Sequence, residues 1–285
     1  MSIDYKALKN GGFMRQKQKN NFSLRLKVVG GALTSDQLRT IADAADKFGR
    51  QGVHLTSRQG LEIPFVKLKQ TEEIKEFLTQ NGVSPGVCGP RVRTVTACQG
   101  EKICPSGCID TFSLAKAISD RYFGRQLPHK FKFGVTGCQN NCLKAEENDL
   151  GIKGGYEIEY SSDNCSFCSV CAKSCRTGAI KVKDKKFDFN QKKCNYCGRC
   201  AKACPANALN GKSIYLLSFG GLFGNRIAQG RQLFPPVNDK NKLFKIFDAA
   251  LDFFSAHGHP GERFLTTIER DGWDQLESCL KVAAV

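Results

Sequence analysis

Cysteine spacing constrains this chain more than any other feature of its sequence. A run of the form C-x2-C-x2-C-x3-C begins at Cys165, and the same run begins again at Cys194. The similarity continues past the cysteines at the same offset, so the segment is an internal repeat. Close thiols in a chain with no export signal indicate metal ligands before disulfides, because the cytosol keeps thiols reduced.

This spacing is typical of bacterial ferredoxins with two [4Fe–4S] clusters, in which the fourth cysteine of each run binds the cluster of the other run. A structural zinc site also takes four thiolates, but zinc sites rarely come as two complete runs at one repeat length. We therefore expect a two-cluster ferredoxin module over residues 157–211. The crossing predicts Cys165, Cys168, Cys171 and Cys204 for one cluster, and Cys194, Cys197, Cys200 and Cys175 for the other.

A second set of four cysteines has a different spacing. Five residues separate Cys98 from Cys104, and three separate Cys138 from Cys142. Their segments, Thr-Ala-Cys-Gln-Gly-Glu-Lys-Ile-Cys and Thr-Gly-Cys-Gln-Asn-Asn-Cys, resemble the paired signature of sirohaem-containing sulfite and nitrite reductases. The resemblance covers nearly the whole chain. It is closest to small anaerobic or dissimilatory-type sulfite reductases with an inserted two-[4Fe–4S] ferredoxin module.

The resemblance implies the cofactors. In this family the four thiolates hold a [4Fe–4S] cluster, and the last of them, here Cys142, is also the axial ligand of the sirohaem iron. The chain would then carry one sirohaem and three [4Fe–4S] clusters, with electrons passing from the ferredoxin module through Cys142 to the iron. Further residues expected to bind sirohaem and its carboxylates are Asn140, Arg15, Arg91, Arg226 and Arg231.

The resemblance also implies an α+β fold, that of the sirohaem sulfite and nitrite reductases. Residues 1–83 are expected to form a ferredoxin-like half-domain. Residues 84–156 and 212–285 would form the domain that binds sirohaem and its [4Fe–4S] cluster. The ferredoxin module would interrupt this second domain.

Local patterns predict several elements of these domains. Apolar residues recur at the helical period over Ser35 to Phe48, and Thr34 or Ser35 can cap the start of this helix. Two strands are expected in the same half-domain, around Phe22 to Val29 and around His54 to Phe65. The other predicted helices are one from Thr71 to Asn81 and a final pair from about Lys242 to Leu280.

Sulfite reduction needs clustered cations, because sulfite is a small dianion whose sulfur takes up six electrons and several protons. Arginine and lysine bind oxyanions, and lysine can also donate protons. By motif, the resemblance assigns this catalytic role to Arg58, Arg93, Lys130 and Lys132. On a strand, Lys130 and Lys132 would share one face while Phe131 points into the core.

The composition is strongly basic, with 43 Lys and Arg against 27 Asp and Glu and a formal net charge of +16. A basic surface can bind nucleic acid, but no groove-reading motif is present, and the carboxylates of sirohaem give an internal reason for the charge. The remaining charge would attract a low-potential electron donor, such as a ferredoxin or a reductase subunit. Without a signal peptide or an apolar run of about 18 residues, we expect a cytoplasmic protein with no membrane span.

Two other functions stay open. Nitrite reduction to ammonia is also a six-electron reaction at the same cofactor pair, although nitrite enzymes of the family tend to have asparagine at the position of Lys132. A non-catalytic iron–sulfur electron-transfer protein is the second alternative. The complete set of four basic residues argues against it.

The resemblance suggests an assembly as well. Longer family members contain two sirohaem-fold repeats, with cluster cysteines on one and substrate-facing cations on the other. This chain has one repeat that carries both sets. We therefore expect a homodimer or a related hetero-oligomer, in which the basic residues of each copy lie over the sirohaem of the other.

Overall fold

The computed structural model describes residues 3–283, so residues 1–2 and 284–285 of the predicted outer domains lie outside it. Its first part contains four strands, Phe13–Arg15 (β1), Asn21–Arg25 (β2), His54–Leu55 (β3) and Leu61–Lys67 (β4), and three helices, Tyr5–Asn10 (α1), Ser35–Phe48 (α2) and Thr71–Gln80 (α3). The strands form one antiparallel sheet in the order β1-β2-β4-β3. Helices α2 and α3 bury their apolar faces in the same core as the sheet.

Helix α2 spans the predicted residues, and Thr34 caps it. The Thr34 side chain accepts a hydrogen bond from the Gln37 N–H, while the Gln37 side chain accepts one from the Thr34 N–H. This capping box satisfies donors that the first helical turn leaves free. Ile41, Ala45 and Phe48 are buried on one face, as the helical period predicts.

Both predicted strands of this half-domain are shorter in the structure. Strand β2 ends at Arg25, and the chain soon turns at Gly30, whose φ of 63° favours glycine. The strand predicted from His54 to Phe65 is a hairpin of β3 and β4. In its turn, Thr56 N–H donates to Gly60 O at 2.8 Å and Gly60 N–H donates to Thr56 Oγ1 at 3.0 Å. Arg58 therefore lies on a turn and not on a strand.

The rest of the chain builds a second sheet and an inserted module. Its elements are Thr96–Ala97 (β5), Thr111–Tyr122 (α4), Phe133–Thr136 (β6), Leu150–Tyr160 (β7), Val170–Ser174 (α5), Ile180–Lys183 (β8), Lys186–Phe189 (β9), Arg199–Lys202 (α6), Leu209–Phe219 (β10), Leu222–Phe223 (β11), Ile227–Ala228 (β12), Lys240–His257 (α7), Phe264–Asp271 (α8) and Trp273–Ala283 (α9). The sheet order is β10-β7-β6-β5. Strands β5, β6 and β7 are parallel, and β10 is antiparallel to β7.

Strands β7 and β10 form a long ribbon that carries the module. They pair without a break from Leu150 with Phe219 to Tyr160 with Leu209. Both strands run through the predicted module limits at 157 and 211. The module itself consists of α5, the β8–β9 hairpin and α6, around a small core of cysteines with Ile180 and Leu209.

Three helices close the chain where a pair was predicted. The break after α8 falls at Gly272, whose φ of 106° is accessible to glycine and strained for other residues. Helix α7 packs on the second sheet, with Phe247 and Phe254 buried among Phe131, Phe133 and Phe264. Within residues 3–283, no helix combines the length and apolar character needed to cross a membrane.

Candidate functional site

The parallel strands β5 and β6 bring two cysteines to one edge of the second sheet. Cys98 follows β5 directly, and Cys138 follows β6 after Gly137. The Gly137 N–H donates a hydrogen bond to Cys98 Sγ at 3.0 Å. A Cβ at position 137 would lie 3.0 Å from the Cα of Gly100 and 3.4 Å from Cys98 Sγ, so glycine allows this close packing.

The four thiols of this set lie within electrostatic reach of one another. Burial raises the pKa of the Cys138 thiol, and the thiols of Cys104, Cys142 and Cys98 raise it further. Cys138 is buried, whereas Cys142 is exposed. The structure thus leaves one thiol of the set accessible from outside.

The module cysteines meet across the two runs. The last cysteine of the second run lies with the first three of the first run, around one cavity of about 340 Å³ lined by Cys165, Cys168, Cys171 and Cys204. Burial raises the pKa of the Cys194 thiol, and the thiols of Cys197 and Cys175 raise it further. Cys175 therefore lies with the second run.

None of these thiol sets has the geometry of a single-ion site. Among the described residues, no three His, Cys, Asp or Glu side chains converge to hold one metal ion. A structural zinc ion would require that convergence. In a four-iron cluster each thiolate binds a different iron, so its ligands lie farther apart.

One half of the module contacts the loop between Cys98 and Cys108. The Lys202 ammonium on α6 donates hydrogen bonds to the carbonyl oxygens of Pro105 at 2.8 Å and Gly107 at 2.9 Å. The buried Cys108 thiol lies 3.8 Å from the carbonyl oxygen of Cys197. The cysteines of the second run therefore belong to the half of the module that adjoins the first cysteine set.

Basic side chains surround two adjoining cavities next to Cys142. One of about 800 Å³, here called the anion cavity, has only cationic residues among its charged lining in the described chain: Arg25, Arg58, Arg93, Lys130 and Lys132. The other, the cysteine cavity of about 930 Å³, is lined by Cys142 with Lys144, Glu147 and Phe223. Arg58 and Lys132 line both cavities, whereas Arg25, Arg93 and Lys130 line only the first.

The alternation around Phe131 places two lysines at the anion cavity. Phe131 is fully buried in the core, and Lys130 and Lys132 line the cavity on the opposite side. The Lys132 N–H donates to Asp149 Oδ2 at 2.9 Å. Asp149 is itself fully buried and pairs with Arg263 at 3.0 Å, so this ion pair fixes the backbone behind the lysines.

Arg58 and Arg93 are anchored by neutral partners. Arg58 donates to Asn148 Oδ1 at 2.8 Å and to the Thr94 carbonyl at 3.2 Å. Arg93 donates to the carbonyls of Val87 and Gly89, both at 3.0 Å. The Nε of Arg93 is buried without a partner. Neither guanidinium has its charge neutralised by these contacts, so both remain free to bind an anion.

Burial, together with the crowding of cations, lowers the pKa of both lysines. Burial lowers the pKa of Lys132 to about 8, and the nearby Arg58 lowers it further while Asp149 opposes the shift. Burial, with Arg263 and Arg93, also lowers the pKa of Lys130. Burial lowers the pKa of Arg58 to about 10. At neutral pH the cavity can therefore hold cations, and Lys132 is a ready proton donor.

Two family models match nearly the whole chain. The nitrite and sulphite reductase 4Fe-4S domain matches residues 88–284, and the nitrite/sulfite reductase ferredoxin-like half domain matches residues 14–81. The chain belongs to the nitrite and sulphite reductase family. The predicted family and fold class are confirmed.

Relatives of this family member differ in length. An uncharacterised protein of Methanocaldococcus jannaschii is 31% identical over 96% of this chain and 95% of its own length. The coenzyme F420-dependent sulfite reductase of the same organism is 31% identical over 87% of this chain, which spans only 40% of that protein. The solved structure of dissimilatory sulfite reductase I has a TM-score of 0.75 at 20% identity, covering 92% of this chain and 69% of that one.

Sequence reasoning missed one cation of the anion cavity in this member of the nitrite and sulphite reductase family. Arg25 lines the anion cavity, and its Nε and Nη2 both donate to Glu62 Oε1, at 2.8 and 2.6 Å. Its Nη1 donates to Cys88 Sγ at 3.3 Å. A signal was present, because Leu24 and Leu26 on either side are buried and alternation turns Arg25 away from the core.

The structure does not bring the four other predicted arginines to either cavity. Arg226 pairs with Glu269, Arg231 lies over the Trp273 ring, Arg91 donates to the Gly124 carbonyl, and Arg15 lies over the Tyr5 ring. Asn140 lines a small pocket with Cys138 and Cys197, beside the contact between the module and the first cysteine set. Their predicted contacts with sirohaem carboxylates therefore have no counterpart in the cavity lining.

The residues present nevertheless fit a sirohaem with a [4Fe–4S] cluster, the cofactor pair of the family. The two cavities together provide space beside the exposed Cys142 residue, with six cations in their lining, of which Lys144 pairs with Glu147. The unpartnered Nε of Arg93 is a buried donor that an acidic ligand would satisfy. Phe223, about half exposed, offers an apolar surface at the same cavity.

Proposed function

We propose that this chain reduces sulfite to sulfide at a sirohaem coupled through Cys142 to a [4Fe–4S] cluster. The observation that carries the proposal is the anion cavity, whose charged lining is entirely cationic, beside the cavity of the exposed Cys142 thiol. The coenzyme F420-dependent sulfite reductase, a longer relative of which this chain covers 40%, is named for that reaction. The balanced reaction takes six electrons and seven protons per sulfite and gives hydrosulfide and three waters.

The basic side chains have different roles in this reaction. Arg58 and Arg93 bind the sulfite oxygens with fixed positive charge, which costs no reorganisation because their neighbours already hold them, while the charge of Arg25 is paired with Glu62. Lys130 and Lys132 donate protons to the oxygens that leave as water. When bound, the sirohaem supplies the electrons to the sulfur atom.

Two further [4Fe–4S] clusters in the module would feed this site. Cys165, Cys168, Cys171 and Cys204 would hold the distal one, and Cys194, Cys197, Cys200 and Cys175 the one nearer the third cluster. The contacts of Lys202 and Cys108 support this order, because they join the second run to the loop of Cys98, Cys104 and Cys108. Electrons would therefore pass from the distal cluster to the proximal one and then to the cluster of Cys142.

Cofactor analysis with turnover tests the proposal. The chain, purified without oxygen, should contain about 13 irons, from three four-iron clusters and one sirohaem. With a reduced viologen it should reduce sulfite faster than nitrite. Cys142→Ser should lose sulfite turnover and the spectroscopic coupling of sirohaem to its cluster, while Cys279→Ser on the exposed face of α9 keeps both.

Two results would overturn parts of this assignment. An iron content near nine per folded chain would show that only two of the three proposed clusters are present. Faster turnover of nitrite than of sulfite would make nitrite the substrate, and the absence of turnover with both in fully loaded protein would favour electron transfer alone.

A further inference from the structure

Two short helices of the module place four cations along one surface groove. Helices α5 and α6 pack against each other, and the groove over them is lined by Lys173, Arg176, Arg199 and Lys202. Lys173, Arg176 and Lys202 are exposed, and Arg199 is half-buried. We call this surface the α5–α6 face.

The charge of the α5–α6 face is not neutralised within the described chain. Residues 164–183 and 189–212, which contain both helices, include no Asp or Glu. In the described part of residues 157–211 and its flank, ion pairs join Lys212 to Glu157 and Glu159 on the ribbon and involve no cation of this face. The Lys202 ammonium is held by two carbonyl oxygens, which are dipoles and leave its charge in place.

The face also lies over the ligand-bearing backbone of both proposed module clusters. Helix α5 contains Cys171, and Cys175 follows its last residue. Helix α6 contains Cys200, and Cys204 follows two residues after its end. Each helix thus carries one ligand of the distal cluster and one of the proximal cluster, so a protein seated here would lie close to both.

We propose that the α5–α6 face is the docking site of an acidic, low-potential electron-transfer protein of the small iron–sulfur class. The inference rests on the proposed function, because it assigns the place where electrons reach the module. Opposite charge steers such a partner and fixes its orientation. Each encounter moves one electron from the reduced iron–sulfur centre of the donor to an oxidised module cluster, so one sulfite requires six encounters.

The β8–β9 hairpin is the rival surface in the module. It carries Lys181, Lys183, Lys185 and Lys186, but Asp184 and Asp188 lie in the same hairpin and reduce its net charge to +2. Charge complementarity therefore favours the α5–α6 face. The rival supplies a matched control, since a pair of its lysines can be reversed with the same total change of charge.

The test compares Lys173→Glu/Arg176→Glu with Lys185→Glu/Lys186→Glu in the cofactor-loaded chain. A small acidic ferredoxin, reduced by light and a deazaflavin, is mixed with oxidised protein, and stopped-flow absorbance follows reduction of the module clusters. At low ionic strength we expect the second-order rate of the first variant to fall at least about 10-fold, the range of electrostatic steering. Added salt should lower the wild-type rate much more than the rate of this variant.

The hairpin variant should keep the wild-type rate and salt dependence. A propyl viologen sulfonate, which has no net charge, should reduce both variants as fast as the wild type, which shows that their clusters are intact. A variant that loses its clusters is replaced by Lys173→Gln/Arg176→Gln, for which we expect a smaller loss of the same sign.

The outcomes separate the docking site from the proposed function. Equal rates for Lys173→Glu/Arg176→Glu and wild type, or a larger loss in the hairpin variant, would refute docking on the α5–α6 face. Cluster reduction is measured without sulfite, so a chain that accepts electrons there and never reduces sulfite refutes only the proposed function.

Discussion

At the scale of the residue, motif comparison named four of the five cations that line the anion cavity, and short-range periodicity predicted how two of them are oriented. The alternation of Lys130, Phe131 and Lys132 predicts two lysines on one side and a buried ring on the other, and the structure has this arrangement. Asp149 and Arg263 could not be paired in advance, because they are 114 positions apart and meet only in the folded chain. The direction of the Arg25 side chain could be predicted from the apolar residues on either side of it. Its pairing with Glu62 could not, because strands β2 and β4 bring the two residues together only in the folded chain.

The lowered pKa of Lys132 predicts a pH dependence of sulfite reduction. Its ammonium form donates protons, and its pKa lies at about 8, so turnover should fall as pH rises through about 8. In Lys132→Arg the guanidinium stays protonated, and the decline should move to higher pH, with a lower maximum rate because arginine is a poor proton donor. Parallel rate profiles from pH 6 to 10 check this, since the titration of sulfite itself is common to both proteins.

The same shift has a consequence for stability with the opposite direction. Because folding lowers the Lys132 pKa from 10.5, the folded chain disfavours the ammonium form, and this cost is fully present below pH 8. This cost diminishes as pH rises from about 8 to the pKa of the unfolded chain, so Lys132 alone makes the free energy of unfolding increase over that pH range.

For the activity prediction, coincident pH profiles of the wild type and Lys132→Arg would assign the catalytic titration to another group.

At the scale of the element, what the sequence predicts well is what local chemistry decides. The observed bounds of helix α2 equal the predicted ones because its cap and its apolar face depend on residues close together in the sequence. The strand predicted from His54 to Phe65 breaks because Thr56 closes a turn onto Gly60, and apolar periodicity does not register such a turn. The thiol crossing in the module was predictable since the repeated spacing itself encodes it.

The contact between Lys202 on α6 and the loop of the first cysteine set gives a prediction at the scale of the element. Lys202→Met removes two hydrogen bonds to the carbonyls of Pro105 and Gly107. For a charged donor on an exposed side chain, we take the low end of its range, about 1.5 kcal/mol, which corresponds to about tenfold more frequent opening of the contact. Hydrogen exchange over residues 104–108 should rise, and electron transfer from the module to the third cluster should slow.

Lys173→Met is the matched control for the loss of the Lys202 hydrogen bonds. Lys173 occupies the repeat-equivalent position on α5, and within residues 3–283 its side chain makes no hydrogen bond to that loop like those of Lys202. With a viologen donor, its variant should keep the wild-type hydrogen exchange and transfer rate. Equal behaviour of the two variants would mean that Lys202 does not hold the module in place.

At the scale of the whole molecule, the net charge of +16 includes two groups of cations at the places where anions are proposed to bind. Five cations line the anion cavity, and four more lie on the α5–α6 face over the module helices. Composition alone predicts an anionic ligand or partner. It does not locate the two sites, because their members come from separate segments that only the fold assembles.

The division of cations between the two cavities bears on the predicted assembly. Arg25, Arg93 and Lys130 line the anion cavity but not the cavity of Cys142. The two cavities adjoin within one chain through Arg58 and Lys132, and the predicted two-fold assembly would instead bring the anion cavity of a second copy to the same Cys142. We therefore expect that a chain without these cations and a chain without the bridging thiol can complement each other.

The experiment mixes inactive Cys142→Ser chains with inactive Arg93→Gln/Lys130→Gln chains under conditions that exchange subunits. In a mixed dimer, one site combines the intact Cys142 of one copy with the intact cations of the other, while the second site is doubly defective. Random pairing makes half the dimers mixed, so sulfite turnover should recover to about a quarter of the wild-type value for closed two-fold symmetry. Tagging each variant differently confirms that mixed dimers form. If verified mixed dimers show no turnover, the cations must act on the cofactor of their own chain, and Arg58 and Lys132, which already line the cavity of Cys142, would be the residues through which they do so.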